Sequence, residues 1–208
     1  MHGPLVVLMA LPSEQKTSWF PETISSLVEH QYDYIVMEST SKFSAIRGAN
    51  ATETIRAMGL KIRQPNEGQR GCWVSHLRAW ALQHTLSRPI ISLEADTKAI
   101  VPWDVKLSPD WEEYDFLFAH DHAQRKKHCT HTSKVLRGLE SRYATGAMLY
   151  TGRTPLPDVI SLIDTALPIG HWFNLMDREK KLKIGSLCPS LFTQRTDKGS
   201  EIQVDGKY

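Results

Sequence analysis

The chain runs Gly71-Cys72-Trp73-Val74-Ser75-His76-Leu77-Arg78-Ala79-Trp80 and then, past Ser87 and Arg88, Pro89-Ile90-Ile91-Ser92-Leu93-Glu94-Ala95-Asp96. In the first stretch Trp73, Leu77 and Trp80 recur at helical spacing, so the pattern predicts a helix over Gly71 to Leu86, closed by Ser87 and Pro89. In the second, Pro89 to Leu93 reads as a buried strand that runs straight into acidic residues. A helix feeding an apolar strand is the unit of an α/β domain. Carboxylates directly after such a strand sit at its carboxyl end, where open α/β sheets bind their ligands.

Working outward, the same alternation continues. Leu5 to Leu11 reads as the first strand, Phe20 to His30 as a helix, and Tyr34 to Met37 as a short strand. A weaker helix spans Ala45 to Met58 and ends at Gly59. Strands are expected over Phe116 to Ala119, Tyr143 to Tyr150 and Ile184 to Phe192, with helices over Pro157 to Ala166 and His171 to Leu182. The segment from Thr196 to Tyr208 is a polar tail. Without a repeat, a low-complexity tract or a linker, residues 1–208 read as one α/β domain.

Composition bounds the function. Of 208 residues, 41% are hydrophobic and 23% charged, which excludes a mainly disordered chain. A formal net charge of +2 is too small to define a nucleic-acid binder by itself. Cys72, Cys129 and Cys188 are widely spaced and form no CxxC pair, so neither a zinc ribbon nor a disulfide framework is expected, and a reducing compartment fits best. The apolar run at Leu5 has no basic segment before it and meets Pro12 at once, unlike a signal peptide. No stretch approaches the roughly 18 apolar residues of a membrane span. The expectation is a soluble cytoplasmic protein.

Glu94 and Asp96 suit a hard divalent cation, Mn²⁺ or Mg²⁺, which prefers oxygen ligands and leaves positions open for phosphate. On the preceding helix Cys72, Ser75 and His76 share a face by their i, i+3, i+4 spacing. Gly71, read as the helix start, would offer backbone N–H groups to phosphate. Ser75 and His76 then either bind a ligand or brace the loop carrying Asp96. Cys72 lacks an activating base pattern and is not expected to be a nucleophile.

Gly71-Cys72-x-x-Ser75-His76-x-x-x-Trp80 resembles the Gly-Cys-x-x-Ser-His-x-x-x-Trp signature of glycosyltransferase family 25, in which an apolar strand and Glu-Asp-Asp follow; here Glu94-Ala95-Asp96 stands in that place. Pro189 to Gln194, with Gly199-Ser200-Glu201-Ile202, resembles the closing elements of that family, and Tyr143 to Tyr150 is similar to its small-residue strand. The resemblance implies a single-domain GT-A-like, Rossmann-like fold: a mixed sheet flanked by helices. It also implies inverting transfer from a nucleotide sugar to a hydroxyl. Gly71, Ser75, His76, Glu94, Gln194 and Ser200 would then bind the donor, and Asp96 would hold the metal with help from Glu94. His171 is a further candidate for the metal or the donor, and Asp121, Asp177 and Glu67 are candidate general bases. The sequence departs from the family at Gln69-Arg70, at Ala95, at Gly170-His171 and at Met9-Ala10-Leu11-Pro12.

His120-Asp121-His122-Ala123-Gln124-Arg125-Lys126-Lys127-His128, continued by His131, Lys134, Arg137 and Arg142, is a basic cluster after a predicted strand. No pair-and-pair ligand spacing accompanies its histidines, so zinc is not expected there. Arg125, Lys126 and Lys127 are candidate acceptor contacts. The acceptor is either a glycan such as lipooligosaccharide, which the resemblance favours, or a hydroxylated base in DNA, which the basic cluster favours. A third reading is a transferase fold kept as a binding module, motivated by the carboxylates missing at Gln69 and Ala95.

Overall fold

A computed structural model of the chain describes residues 3–40, 67–103, 110–121, 134–136, 145–163 and 167–195. Strand β1 (Leu5–Ala10), helix α1 (Trp19–Glu29) and strand β2 (Tyr34–Glu38) come first. Helix α2 (Glu67–Leu86), β3 (Ile90–Glu94), β4 (Thr97–Ala99), β5 (Phe116–Phe118), β6 (His120–Asp121) and β7 (Lys134–Leu136) follow. The order closes with β8 (Ala147–Tyr150), helices α3 (Leu156–Ser161) and α4 (Ile169–Arg178), β9 (Ile184–Cys188) and β10 (Phe192–Gln194).

Seven strands form a mixed sheet in the order β2-β1-β3-β8-β5-β9-β7. Strand β1 is parallel to both β2 and β3, while β8 runs antiparallel between β3 and β5. The chain leaves β1 for β2 on one side and later returns to β3 on the other. Such a reversal of strand order opens a crevice at the carboxyl ends of β1 and β3. A second sheet, β4-β10-β6, joins the chain just past that edge.

Alternation along β3 sets the layers. Ile91 and Leu93 face α1 in a core shared with Val6, Leu8, Leu117 and Leu149. Ile90 and Ser92 face α2, where Ile90 meets Ala79 and Ser92 meets His76 and Trp80. Beside them Trp73, Leu77 and Trp80 pack with Phe116, Tyr150 and Phe173. The ring of Trp80 lies 4.8 Å from Phe116 and 5.9 Å from Phe173, centroid to centroid. Truncating a fully buried tryptophan in such a cluster costs about 3–5 kcal/mol.

The α/β architecture, β1 and β3 agree with the sequence reading; other elements differ. Helix α2 begins at Glu67, four positions before Gly71, so the N–H of Gly71 falls inside the helix and is not offered to phosphate. Ser87 takes a left-handed φ of 48° after the last turn, and Pro89 prevents continuation. The last helix is α4, Ile169–Arg178, starting behind Pro168. The stretch read as one strand from Ile184 to Phe192 is broken at Pro189, which cannot donate to a ladder, so β9 and β10 enter different sheets. Cys188 is disulfide-bonded, where the sequence suggested no disulfide framework, whereas Cys72 is free. The wide spacing of the cysteines gave no signal of it. The helix expected over Ala45 to Met58 and the tail from Thr196 lie outside the described residues.

Candidate active site

The turn Glu94-Ala95-Asp96 joins β3 to β4 at the carboxyl edge of the large sheet. Helix α1 fastens it from one side: the Thr23 hydroxyl donates to the Ala95 carbonyl at 3.0 Å, and the Ala99 N–H donates to Ser26 Oγ at 3.0 Å. From the other side the Glu94 N–H donates to the Gly146 carbonyl at 2.8 Å, and the Arg195 N–H donates to the Asp96 carbonyl at 3.0 Å.

The two oxygens of Glu94 face different surroundings. Oε1 accepts from the Thr145 hydroxyl at 2.5 Å and stands 3.5 Å from His76 Nε2. Oε2 accepts from Gln194 Nε2 at 3.4 Å, and the same amide nitrogen reaches Asp96 Oδ2 at 3.2 Å. Gln194 therefore bridges the carboxylates. Gly146 makes room for it: a Cβ there would lie 2.8 Å from Thr97 Oγ1 and 3.2 Å from Gln194 Cδ.

Electrostatics separates the pair. Burial pushes the Asp96 carboxyl up to about 6, and the neighbouring Glu94 charge pushes the same way against hydrogen bonds from Gln194 and Thr97. Burial also raises the Glu94 carboxyl, but His76, the Thr145 hydroxyl and His120 together outweigh it and hold the group below its usual range. Glu94 thus carries the charge while Asp96 retains a proton near pH 6. Above pH 6, where Asp96 also ionises, the two acids share one amide, and their oxygens are the donors that Mn²⁺ or Mg²⁺ takes. The residues fit such an ion.

Behind the turn, α2 supplies bracing. Ser75 Oγ accepts from the Thr40 N–H at 2.9 Å and donates to the Gly71 carbonyl at 2.8 Å, so its hydrogen bonds tie the end of β2 to α2. His76 is fully buried, with Nδ1 2.8 Å from Ser92 Oγ. Both side chains are buried, and these hydrogen bonds are the ones that bracing would use.

The remaining candidates divide. Asp121 pairs with Thr193, beside Gln194. Its side chain lies outside the described residues, as do that of Glu67, Ser200 and the basic residues Arg125, Lys126 and Lys127. His171 and Asp177 sit on α4, with His171 exposed. Among the described residues the group of three or more side chains close enough to hold a metal is Cys72, His76 and Glu94, and neither Asp96 nor His171 is one of them. Sequence reading missed Thr145, Gly146 and His120 as parts of the site. His120, buried with its Nδ1 accepting from the Ala147 N–H at 3.2 Å, follows β5 much as the acids follow β3. That placement was the available signal.

No protein-family model matches the chain, and no curated protein matches it, so the family 25 resemblance remains one of motifs. Among solved structures the chain is similar to a glycosyltransferase involved in the glycosylation of the major capsid of PBCV-1. The identity is 12% and the TM-score 0.47, over 94% of this chain and 93% of that one. It is also similar to the galactosyltransferase LgtC in complex with donor and acceptor sugar analogs, at 8% identity and a TM-score of 0.43, over 92% of this chain and 87% of that one. Both of these structures are glycosyltransferases.

Proposed function

We propose that the chain is a glycosyltransferase that moves a sugar from a nucleotide-sugar donor to an acceptor hydroxyl at the Glu94–Asp96 turn. One observation carries the reading. Paired carboxylates, joined through Gln194, stand at the carboxyl end of β3, where strand order reverses between β1 and β3, the place at which open α/β sheets bind ligands. The motif resemblance of the α2–β3 unit supports it independently. Asp96 and Oε2 of Glu94 would hold Mn²⁺ or Mg²⁺, which when bound neutralises charge on the departing diphosphate.

The rest falls to the chain. In an inverting displacement the acceptor oxygen bonds to the anomeric carbon as the bond from that carbon to the diphosphate oxygen breaks. The acceptor proton goes to a carboxylate base. Asp121 is the preferred base, since its backbone pairs with Thr193 next to Gln194. Gln194 fixes the spacing of the two acids, and Thr145 and His76 hold Glu94 ionised. The acceptor we favour is a glycan.

Two measurements test the reading. A thermal-shift panel of nucleotide sugars should give stabilisation that requires Mn²⁺ or Mg²⁺. Asp96→Ala should retain the fold and lose transfer by on the order of a thousandfold, the scale of several kcal/mol of transition-state charge stabilisation. An active Asp96→Ala protein that ignores EDTA would overturn the assignment. Metal-dependent donor binding without any transfer or donor hydrolysis would make the chain a binding module.

A further inference from the structure

Beneath the acidic turn, on the α2 side of β3, lies a second group of ligand-bearing side chains. Cys72 Sγ, a ring nitrogen of His76 and a Glu94 carboxylate oxygen all lie within 4.8 Å of one another. Cys72 and His76 come from successive turns of α2, and Glu94 from the end of β3.

The hydrogen bonds around His76 determine what its free nitrogen can do. Ser92 Oγ has one proton and two lone pairs. It donates to the Met148 carbonyl at 3.3 Å, accepts from Trp80 Nε1 at 3.2 Å, and meets His76 Nδ1 at 2.8 Å. When the serine proton goes to Met148, the serine accepts from Nδ1–H and Nε2 of the neutral ring keeps a lone pair; when it goes to Nδ1, Nε2 carries the proton. That nitrogen is fully buried and has no hydrogen-bond partner. It faces Glu94 Oε1, an acceptor whose donor is Thr145. Between that nitrogen and Glu94 Oε1 there must lie either a proton on Nε2 or a metal cation, since two bare acceptors cannot face each other in the interior.

The spacing points to a metal ion. The 3.5 Å between His76 Nε2 and Glu94 Oε1 is long for a hydrogen bond. A tetrahedral ion with bonds of about 2.0–2.3 Å separates its ligand atoms by roughly 3.3–3.8 Å. Cys72 Sγ stands 3.9 Å from Thr145 Oγ1, the hydroxyl that donates to Glu94 Oε1. We infer that Cys72, His76 and Glu94 form a site for a thiophilic divalent cation, Zn²⁺ in the first place, separate from the oxygen-ligand site proposed at Asp96. Thiolate and imidazole favour Zn²⁺ over Mn²⁺ or Mg²⁺. The hydrogen bond from Nδ1 to Ser92 is the outer-sphere contact that metal-bound histidines make. Zinc binding displaces the thiol proton to solvent, so one Zn–S bond forms for each proton released. Three protein ligands leave a fourth position for water. The ion would pin α2 to β3 and direct Oε2 of Glu94 toward Asp96.

The test uses the full chain, stripped of metal and titrated with Co²⁺. One equivalent should produce a thiolate-to-cobalt charge-transfer band that one equivalent of Zn²⁺ abolishes and excess Mn²⁺ does not. The band should vanish in Cys72→Ser and persist in Asp96→Ala, so its fate is independent of the glycosyltransferase reading. Ser92→Ala should weaken Zn²⁺ binding by roughly 10- to 100-fold. Should Cys72→Ser fail to fold, thiol alkylation of the unaltered protein replaces it: Zn²⁺ should block modification of Cys72. A folded protein that gives no band, a band that survives Cys72→Ser, or alkylation indifferent to Zn²⁺ overturns the inference and leaves a proton on Nε2 as the buried cation.

Discussion

Asp96 is held in a state that costs the metal-free protein stability. Its carboxyl titrates near 6 in the folded chain against an ordinary 3.8, because burial and the Glu94 charge both oppose ionisation. Between those two values the unfolded chain has lost a proton that the folded chain keeps, so this group makes stability fall as pH rises from about 4 to about 6. Glu94, held low, acts oppositely: its contribution is present above its unfolded value and lost as pH falls through the folded one. Asp96→Asn removes only the first effect. In EDTA it should therefore melt higher than the parent above pH 6 and lose that advantage below pH 4. Melting curves that do not diverge across that window would contradict the strain assigned to Asp96. The acidic residues and Gln194 were legible in the sequence. Thr145 and His120 were not, because they reach Glu94 from positions far along the chain, and local spacing carries no trace of such pairs.

At the scale of elements, the close approach of β8, β4 and β10 depends on Gly146. A methyl group there would enter the space of Thr97 Oγ1 at 2.8 Å and of the Gln194 side chain at 3.2 Å. Gly146→Ala should shift Gln194 away from the carboxylates and cost about 1–3 kcal/mol, as overpacking does. Transfer activity should fall much further than thermal stability does, and an activity loss merely in step with stability would argue against the bridge. Strands β1 and β3 were readable because each is a nearly unbroken apolar run, as expected for strands covered on both faces. The start of α2 was not, since Glu67 to Arg70 carries no apolar stripe and Gly71 looked like a terminus. The break at Pro189 turns on which sheet each half joins, and that is a tertiary choice.

Across the whole molecule, the acceptor is the question that charge can decide. The basic cluster around Arg125, Lys126 and Lys127 belongs to a chain of net charge only +2, so any polyanion must be held by that cluster and not by the overall field. On duplex DNA, each phosphate neutralised contributes a log–log salt slope of roughly −0.9. A neutral glycan contributes almost none. The expectation for a glycan acceptor is transfer nearly indifferent to salt. A steep slope on DNA that shrinks when Arg125, Lys126 and Lys127 become alanine would reverse that choice.

The acidic turn also has a temporal meaning. Its clasps come from Thr23, from Thr145 and Gly146, and from Gln194 and Arg195, so segments separated by 72, 51 and about 100 positions must all arrive before it closes. Contacts of such long range form late in folding, since their loop entropy must be met before they return anything. Strand β10 is moreover the middle strand of the small sheet, holding β4 to β6. A nascent chain that has emerged only as far as β9 would own every described strand of the large sheet and still lack the clasps that close the turn. The turn would close only with β10 and Arg195, after the scaffold is already standing.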